Sequence, residues 1–241
     1  MIQRADGRLP AQLREVRITR DYLRYAEGSV LIEMGRTKVI CAVSIDERVP
    51  AFLRGMGRGW LTAEYGMLPR SVQNRIPREI ADKGVRGRTQ EIQRIIGRAL
   101  RSVVALERIG ERTIQIDCDV IEADGGTRTA SITGAWVALY DAIKKMQKER
   151  VIEEDVILNQ VAAVSVGIVE GTPLLDLRYE EDTKAEVDMN IAMVPSGEIV
   201  EIQGTAERKP FSPELMSQML TLAKEGITQL FQLQREVLGL E

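Results

Sequence analysis

The sequence contains no histidine, only two cysteines and few aromatic residues. Without histidine, a Ser-His-Asp triad, a Cys-His dyad and any histidine-ligated zinc site are excluded. Carboxylates and neutral oxygens remain as metal ligands, and these suit Mg²⁺ or Mn²⁺. Because aromatic residues make up only 4% of the chain, we expect a core built from Ile, Val, Leu, Ala and Met.

Long apolar segments are also missing from the sequence. No apolar run approaches the ~20 residues that span a bilayer, and the N-terminus is charged from its fourth residue. We therefore expect neither a membrane span nor a secretory signal. Cys41 and Cys118 lie in apolar runs far apart in the sequence, and we interpret them as buried hydrophobic side chains. Together these features predict a reducing, cytoplasmic location.

The charges are unevenly distributed along the chain, although the net charge is only −3. Residues 1–112 hold 22 Lys+Arg against 13 Asp+Glu, and residues 113–241 hold 11 against 23. Of the 22 basic residues, 20 are arginine, whose planar guanidinium group suits phosphate better than the point charge of lysine. Such asymmetry indicates nucleic-acid contact, and surface salt bridges are the alternative interpretation.

The pattern of secondary structure predicts a single α+β domain over residues 1–241, because helices and strands are mixed without strict βαβ alternation. Residues 69–88 are predicted to form a long polar loop. Helices are predicted from about Thr89, from Thr127 or Arg128, and over 213–237. Strands are predicted near residues 29–35, 37–46, 59–68, 113–123, 161–168, 173–178, 185–194 and 198–204.

The strongest local signal is the segment 124–131, DGGTRTAS, in which a strand runs through two glycines directly into a helix. Glycine lets the backbone approach a ligand closely, and a helix N-terminus offers free N–H donors and a positive dipole end. With the Thr127 hydroxyl and the Arg128 guanidinium, the segment predicts a phosphate site that includes Gly126. A tight turn with Thr127 as an N-cap is the alternative.

Arginines form two further candidate anion sites. Arg86 and Arg88 flank a glycine immediately before the first predicted helix. If the two helix starts converge in space, arginines from both surround one anion. Arg70, Arg75 and Arg78 are spaced along the predicted loop so that they can follow successive phosphates of a single nucleic-acid strand. Solvated arginines on a loop are the alternative for both groups.

An acidic stretch covers residues 179–190, YEEDTKAEVDMN. On an extended strand Glu186, Asp188 and Asn190 share one face, and Asp182 lies near the start of that face. Such a group predicts either a site for a hard cation or acid–base chemistry. A solvated strand edge is the alternative.

Six segments, taken in their order and spacing, match a known family: DGR at 6–8, EGSVLI at 27–32, GWLTAEYGMLPR at 59–70, GRTQEIQRIIGRALR at 87–101, DCDVIEADGGTRTASITGA at 117–135 and LDLRYEEDTKAEVDMN at 175–190. With them the chain resembles bacterial RNase PH, of the RNase PH, polynucleotide phosphorylase and exosome family. The resemblance implies a fold like that of ribosomal protein S5 domain 2 and a homo-hexamer built as a trimer of dimers. It also implies trimming of tRNA precursors and other RNA 3′ ends with inorganic phosphate as co-substrate, which releases nucleoside diphosphates.

The resemblance also implies roles for individual residues. Arg88, Thr127 and Arg128 correspond to phosphate-binding residues, and Asp182 and Asp188 to an acidic catalytic pair associated with Mg²⁺. Arg70, Arg75 and Arg78 correspond to loop arginines that engage RNA near the centre of the ring. We also expect Arg86, before the first predicted helix, to contact RNA, and we expect no DNA partner.

The sequence departs from the family pattern at three positions. Ala206 and Arg208 stand where relatives usually have glycine and glutamate, and Pro77 stiffens the predicted loop. Alternative functions are a catalytic subunit of an archaeal exosome-like ring, a non-catalytic RNA-binding ring subunit, and a small-molecule phosphate-binding enzyme. The GWLTAEYGMLPR segment argues against the first, the retained phosphate arginines and aspartates against the second, and the loop arginines against the third.

Overall fold

The structure is a computed structural model that describes residues 4–79, 84–207 and 209–240. Within these ranges the chain forms nine strands, four α-helices and two short 3₁₀ helices. The strands are β1 Val16–Arg20, β2 Gly28–Met34, β3 Thr37–Asp46, β4 Trp60–Met67, β5 Thr113–Glu122, β6 Ala162–Val169, β7 Thr172–Leu175, β8 Val187–Met193 and β9 Ile199–Ala206. The helices are α1 Gly87–Arg101, α2 Thr127–Lys148, α3 Tyr179–Asp182 and α4 Pro213–Leu238.

The strands form two sheets, and this confirms the predicted α+β class. The first sheet has the order β1-β2-β3-β5-β4, in which only the β4–β5 pair is parallel. The second sheet has the order β7-β6-β8-β9 and is antiparallel throughout. One large hydrophobic cluster includes residues of both sheets and consists mainly of aliphatic side chains, as the scarcity of aromatic residues predicts.

The burial of the strands follows from their sequence patterns. In β5 the side chains of Ile114, Ile116 and Cys118 are buried while the intervening Gln115 and Asp117 are not, which is the period of two expected for a sheet with one covered face. All eight residues of β6 are buried. This strand lies inside its sheet and contacts both α2 and α4, so an unbroken apolar run is required there.

Helix α2 is the central element, because it packs against β2 and β3 of the first sheet and β6 of the second. Two glycines allow this close packing. A Cβ atom on Gly28 would lie 2.1 Å from the carbonyl oxygen of Ala138, and one on Gly134 would lie 2.7 Å from Ile32 Cγ2. Larger side chains would therefore push the helix off the sheet. The N-terminus of α2 is fixed relative to both sheets as a result.

The two cysteines are neighbours in the fold. Cys41 on β3 and Cys118 on β5 are paired across the strands, with their Sγ atoms 3.9 Å apart. Both are buried free thiols, which confirms the interpretation as small hydrophobic side chains. Burial and the mutual hydrogen bond raise the pKa of Cys41, the hydrogen bond being the larger cause.

The structure differs from the sequence prediction in several places. Strand β1 and the short helix α3 were not expected. The strand predicted over 173–178 ends at Leu175, because Asp176 adopts a left-handed backbone conformation with φ 54° and the chain then turns into α3. Ala206 is the last residue of β9, whereas Arg208 lies outside the described residues.

In the described part of the chain no helix is both long and apolar enough to cross a membrane.

Candidate active site

A cavity of about 480 Å³ lies between the starts of α1 and α2 and the polar face of β8 and β9. It brings together six residues that the sequence predicts for phosphate binding and catalysis: Arg88, Gly126, Thr127, Arg128, Asp182 and Asp188. The two helix starts therefore converge, as the sequence analysis required for a shared anion site. The other polar residues in its wall include Tyr65, Glu91, Asn190, Gln203, Thr205 and Glu207.

The start of α2 has the geometry of an anion site. Gly125 and Gly126 have φ values of 77° and 66°, which only glycine adopts readily. A Cβ atom on Gly125 would also lie 2.5 Å from the carbonyl oxygen of Leu177. Gly126 is the N-cap, and no side chain caps the helix. The first N–H groups of a 22-residue helix are thus available to a bound anion.

A buried arginine supports this turn from behind. Arg14 donates to both carboxylate oxygens of Asp176, at 2.9 and 2.6 Å, and to the carbonyl oxygen of Asp124 at 2.6 Å. The Thr37 hydroxyl donates to the carbonyl oxygen of Gly125 at 2.6 Å. Burial alone would raise the pKa of Asp176, but the charge and hydrogen bonds of Arg14 lower it. The carbonyl oxygens of Asp124 and Gly125 are therefore occupied by Arg14 and Thr37, and the Asp124 N–H donates to Thr37 Oγ1 at 2.9 Å.

Tyr65 is a cavity residue that the sequence analysis did not single out. Its Oη atom lies 2.8 Å from Thr127 Oγ1, so one hydroxyl orients the other. Burial raises the pKa of Tyr65, although the Thr127 hydrogen bond and the charges of Arg88 and Arg128 partly offset this effect. The phenol therefore stays neutral near pH 7 and remains a possible hydrogen-bond donor. Its place in the GWLTAEYGMLPR segment was the only signal for it.

The guanidinium of Arg128 is oriented by a chain of hydrogen bonds. Arg128 Nη1 donates to Gln203 Oε1, and Gln203 Nε2 in turn donates to Glu91 Oε1 at 2.5 Å. The three residues come from α2, β9 and α1, so the chain joins both helix starts to the second sheet. Gln203 thereby limits the positions that the Arg128 side chain can take.

Replacing Gln203 by alanine should raise the dissociation constant for inorganic phosphate about tenfold, because a hydrogen bond to a charged group contributes about 1.5–3 kcal/mol. Isothermal titration of the protein with phosphate measures the effect. Gln93→Ala is the matched control, since Gln93 also donates to a glutamate, Glu64 at 2.5 Å, but lies outside the cavity wall. Equal phosphate affinity for the Gln203 variant and the wild type would contradict the orienting role.

The acidic pair lies opposite the arginines. Burial is the main reason that the pKa of Asp188 is raised to about 6. The charge of Asp182 also raises this pKa, whereas the charges of Arg128 and Arg88 lower it. Burial also raises the pKa of Asp182. Glu186 does not line this cavity. Its carboxylate accepts a hydrogen bond from Gly171 N and lies 3.3 Å from Lys209 Nζ. Of the predicted polar face, Asp188 and Asn190 line the cavity.

Asp188 is expected to destabilise the metal-free fold at neutral pH. Since its folded-state pKa of about 6 exceeds the ordinary value of 3.8, ionising Asp188 lowers the free energy of unfolding. This destabilisation grows as the pH rises from about 4 to 6 and is complete above 6. Asp188→Asn should therefore stabilise the metal-free protein at pH 7 by about 2–3 kcal/mol, and the gain should vanish below about pH 4. Urea denaturation at several pH values tests this, and a gain independent of pH would contradict it.

The carboxylates fit a magnesium ion. Mg²⁺ is usually held by one or two carboxylates together with substrate phosphates, and not by a cage of protein ligands. Asp182 and Asp188 offer two such groups beside the predicted phosphate site. Across the described ranges no cluster of three or more Cys, Asp or Glu residues is placed to hold a metal. Asp182 and Asp188 would hold the ion, which would supply positive charge beside a bound phosphate.

The four predicted RNA-binding arginines do not line the same cavity. Arg70 lines a second cavity next to the first. Arg75 and Arg78 are exposed on the loop and line neither of these cavities. Arg86 is exposed at the N-cap of α1 and, unlike Arg88, is not part of the phosphate cavity wall. The structure thus separates Arg86 from Arg88, although the sequence places them on either side of one glycine.

Comparison with known proteins places this geometry in a family. The model of the 3′ exoribonuclease family, domain 1, matches residues 12–145, and that of domain 2 matches residues 159–226. The chain belongs to the 3′ exoribonuclease family. The arginines and α2 start fall within the domain 1 match and the aspartates within the domain 2 match, so the cavity combines both parts of the family pattern.

Solved structures share the fold of this 3′ exoribonuclease family member. Rrp46 of rice (Oryza sativa) has 19% sequence identity, with a TM-score of 0.78 over 98% of this chain and 100% of that chain. The Archaeoglobus fulgidus exosome with RNA bound to the active site also has 19% identity, with a TM-score of 0.78 over 95% of this chain and 92% of that chain. These likenesses are consistent with the predicted S5 domain 2-like fold.

Proposed function

We propose that the protein is a phosphorolytic 3′-to-5′ exoribonuclease of the bacterial RNase PH type. It removes nucleotides from RNA 3′ ends with inorganic phosphate and releases nucleoside diphosphates. One observation carries the proposal: Arg88, Arg128 and the uncapped start of α2 share a cavity with Asp182 and Asp188. An anion site facing two carboxylates is what a reaction between phosphate and a metal-bound phosphodiester needs.

In the proposed reaction, inorganic phosphate is held by Arg88, Arg128 and the N–H groups at the start of α2. One phosphate oxygen attacks the phosphorus of the terminal phosphodiester in line with the leaving 3′ oxygen. The new P–O bond forms as the bond to the 3′ oxygen breaks, so the last nucleotide leaves as a diphosphate. The arginines stabilise the charge on the phosphorus oxygens.

The leaving 3′ oxygen requires a proton. Burial raises the pKa of Asp188 to about 6 in the metal-free protein, so Asp188 is the carboxyl group proposed to supply that proton where it does not hold the metal. Asp182 and Asp188 are also the residues that would hold Mg²⁺. When bound, the ion supplies positive charge next to the reacting phosphate. The same two aspartates therefore serve either as acid and ligand or as ligands alone.

The remaining features of the proposal follow from the resemblance to bacterial RNase PH. Arg70, Arg75, Arg78 and Arg86 contact the RNA, and tRNA precursors are the proposed substrates. The proposed assembly is a homo-hexamer built as a trimer of dimers, in the cytoplasm. The buried free thiols of the chain support a reducing compartment, and the structural likeness to an exosome with RNA at its active site supports the choice of RNA.

A catalytic subunit of an archaeal exosome-like ring is the second candidate, because the exosome structure matches 95% of this chain. It predicts the same phosphorolysis but a partner subunit of different sequence. A non-catalytic ring subunit is less well supported, since the arginines and aspartates of the cavity are all present. Size-exclusion chromatography with light scattering distinguishes the first two: a hexamer formed by the purified chain alone favours the RNase PH type.

The direct test incubates the purified protein with a 3′-extended tRNA and Mg²⁺, with and without inorganic phosphate, and identifies the released nucleotides. Phosphate-dependent shortening with nucleoside diphosphates is the expected result. Phosphate-independent release of monophosphates would contradict the proposal and indicate a hydrolase. RNA that is bound but not shortened would also contradict it, in favour of a non-catalytic subunit.

A further inference from the structure

A second cavity of about 920 Å³ adjoins the candidate active site. The two cavities share three wall residues, Val72, Ala123 and Tyr179, so a ligand can extend from one into the other. Binding sites for small organic groups usually measure about 300–1,000 Å³. The second cavity is therefore large enough for a nucleotide, and neither the phosphate site nor the acidic pair occupies it.

The wall of this cavity offers an aromatic ring and unpaired positive charge. Tyr179 is 60% exposed and lines both cavities. Arg70 is exposed and has neither a hydrogen bond nor an ion pair with any described residue. Aromatic rings that stack bases, together with cations that follow the backbone, are the usual means of binding single-stranded nucleic acid.

Two of the three carboxylates in the wall are paired with cations, and the third holds a backbone N–H group. Glu122 Oε2 lies 3.3 Å from Lys38 Nζ, and Glu180 pairs with Arg178 at 3.1 Å. Asp124 accepts a hydrogen bond from the backbone N–H of Tyr179 at 3.2 Å. Arg70 has no ion pair with a described residue, so its guanidinium is available to contact a phosphate.

We infer that the second cavity holds a nucleotide of single-stranded RNA upstream of the scissile phosphodiester, with its base stacked on Tyr179 and its backbone phosphate near Arg70. The upstream placement rests on the loop, because Asn74 and Ile76, on either side of the exposed Arg75, line this cavity, so the rest of the strand can leave along the loop. The inference rests on the proposed function, because it assigns the upstream part of that substrate.

The test measures equilibrium binding of a single-stranded RNA of about ten nucleotides, a length within the usual site sizes, without phosphate and therefore without catalysis. Tyr179→Ala should raise the dissociation constant about tenfold, and Tyr179→Phe should stay within about twofold because the ring remains. Tyr25→Ala is the matched control, since Tyr25 is 88% exposed and lies outside both cavity walls. Tyr25→Ala should bind both RNA and inorganic phosphate as the wild type does.

Varying the salt concentration distinguishes the contribution of base stacking from that of charge. Between about 50 and 200 mM salt the ratio of the dissociation constants of Tyr179→Ala and wild type should stay constant, whereas the effect of Arg70→Ala should shrink. RNA affinity of Tyr179→Ala equal to that of the wild type would overturn the inference, even if the wild type degrades RNA with phosphate. If the wild type binds RNA through Tyr179 but never shortens it, the proposed function fails and the inference stands.

The position of the nucleotide is tested with 2-aminopurine placed either at the 3′ end or a few nucleotides upstream. Binding should change the fluorescence of the upstream label in a way that Tyr179→Ala abolishes. A Tyr179-dependent change confined to the 3′-terminal label would overturn the upstream placement. Thermal denaturation of each variant, expected to match the wild type because the ring is exposed, confirms that the fold is retained.

Discussion

Arg128→Ala is expected to reduce kcat/KM for inorganic phosphate by about 10²–10³-fold. A loss of about this size follows when one preorganised hydrogen-bond donor that faces the charge of the transition state is removed. Arg128 contributes a guanidinium fork at the start of α2, and its Gln203 contact fixes that fork against β9. The loss should appear mainly in the phosphate dependence, with RNA affinity changed much less. Initial rates of diphosphate release at several phosphate concentrations measure it.

Two further variants sharpen this prediction. Arg128→Lys keeps the charge but loses the planar, two-pronged geometry, so it should recover only a small part of the activity. Arg17→Ala removes an arginine of the exposed β1 surface, whose side chain is 69% exposed, and should behave as the wild type. Full activity of Arg128→Ala at low phosphate would contradict the assigned phosphate site.

Arg14→Met is expected to lower the free energy of unfolding by about 3–5 kcal/mol, because it leaves the carboxylate of Asp176 buried without its main partner. That is a large part of the 5–15 kcal/mol by which proteins are usually stable. Arg14 also holds the carbonyl oxygen of Asp124, so phosphate binding should weaken too. Urea denaturation and phosphate titration measure the two effects.

A matched pair on the surface provides the control. Arg48 donates to both oxygens of Asp46 at 3.0 Å, but this pair is exposed, and Arg48→Met should cause no measurable loss of stability. The double variant Arg14→Met/Asp176→Asn removes the unpaired charge and should regain part of the stability, while phosphate affinity stays low. Unchanged stability in Arg14→Met would contradict the role of the buried pair.

Much of the fold could be predicted because the local patterns are strong. The alternation in β5, the apolar periodicity of α1 and the Ser212-Pro213 start of α4 all have simple physical causes, and each element appears where the pattern places it. Strand β1 has five residues of which one is buried, so it carries no clear period. Asp176, whose left-handed conformation ends β7, is paired with the distant Arg14, and its conformation has no local signal in the sequence.

In the candidate site, too, residues with a local sequence signal were predictable, and residues that depend on contacts across the fold were not. The phosphate turn was predictable because two glycines and a helix start lie together in the sequence. Tyr65, Gln203 and Glu91 were not, since their importance depends on contacts with Thr127 or Arg128 across the fold. Glu186 was predicted to share the acidic face, but it lies just before β8 and bonds to Gly171 instead.

The most direct test of the central claim follows the oxygen atoms of the attacking group. The protein is incubated with RNA, Mg²⁺ and inorganic phosphate labelled with ¹⁸O, and the released nucleotides are analysed by mass spectrometry. If bound phosphate is the nucleophile, each released nucleoside diphosphate carries the labelled oxygens in its terminal phosphate. Release of unlabelled nucleoside monophosphates would mean that water attacks. It would contradict the claim that bound phosphate is the nucleophile.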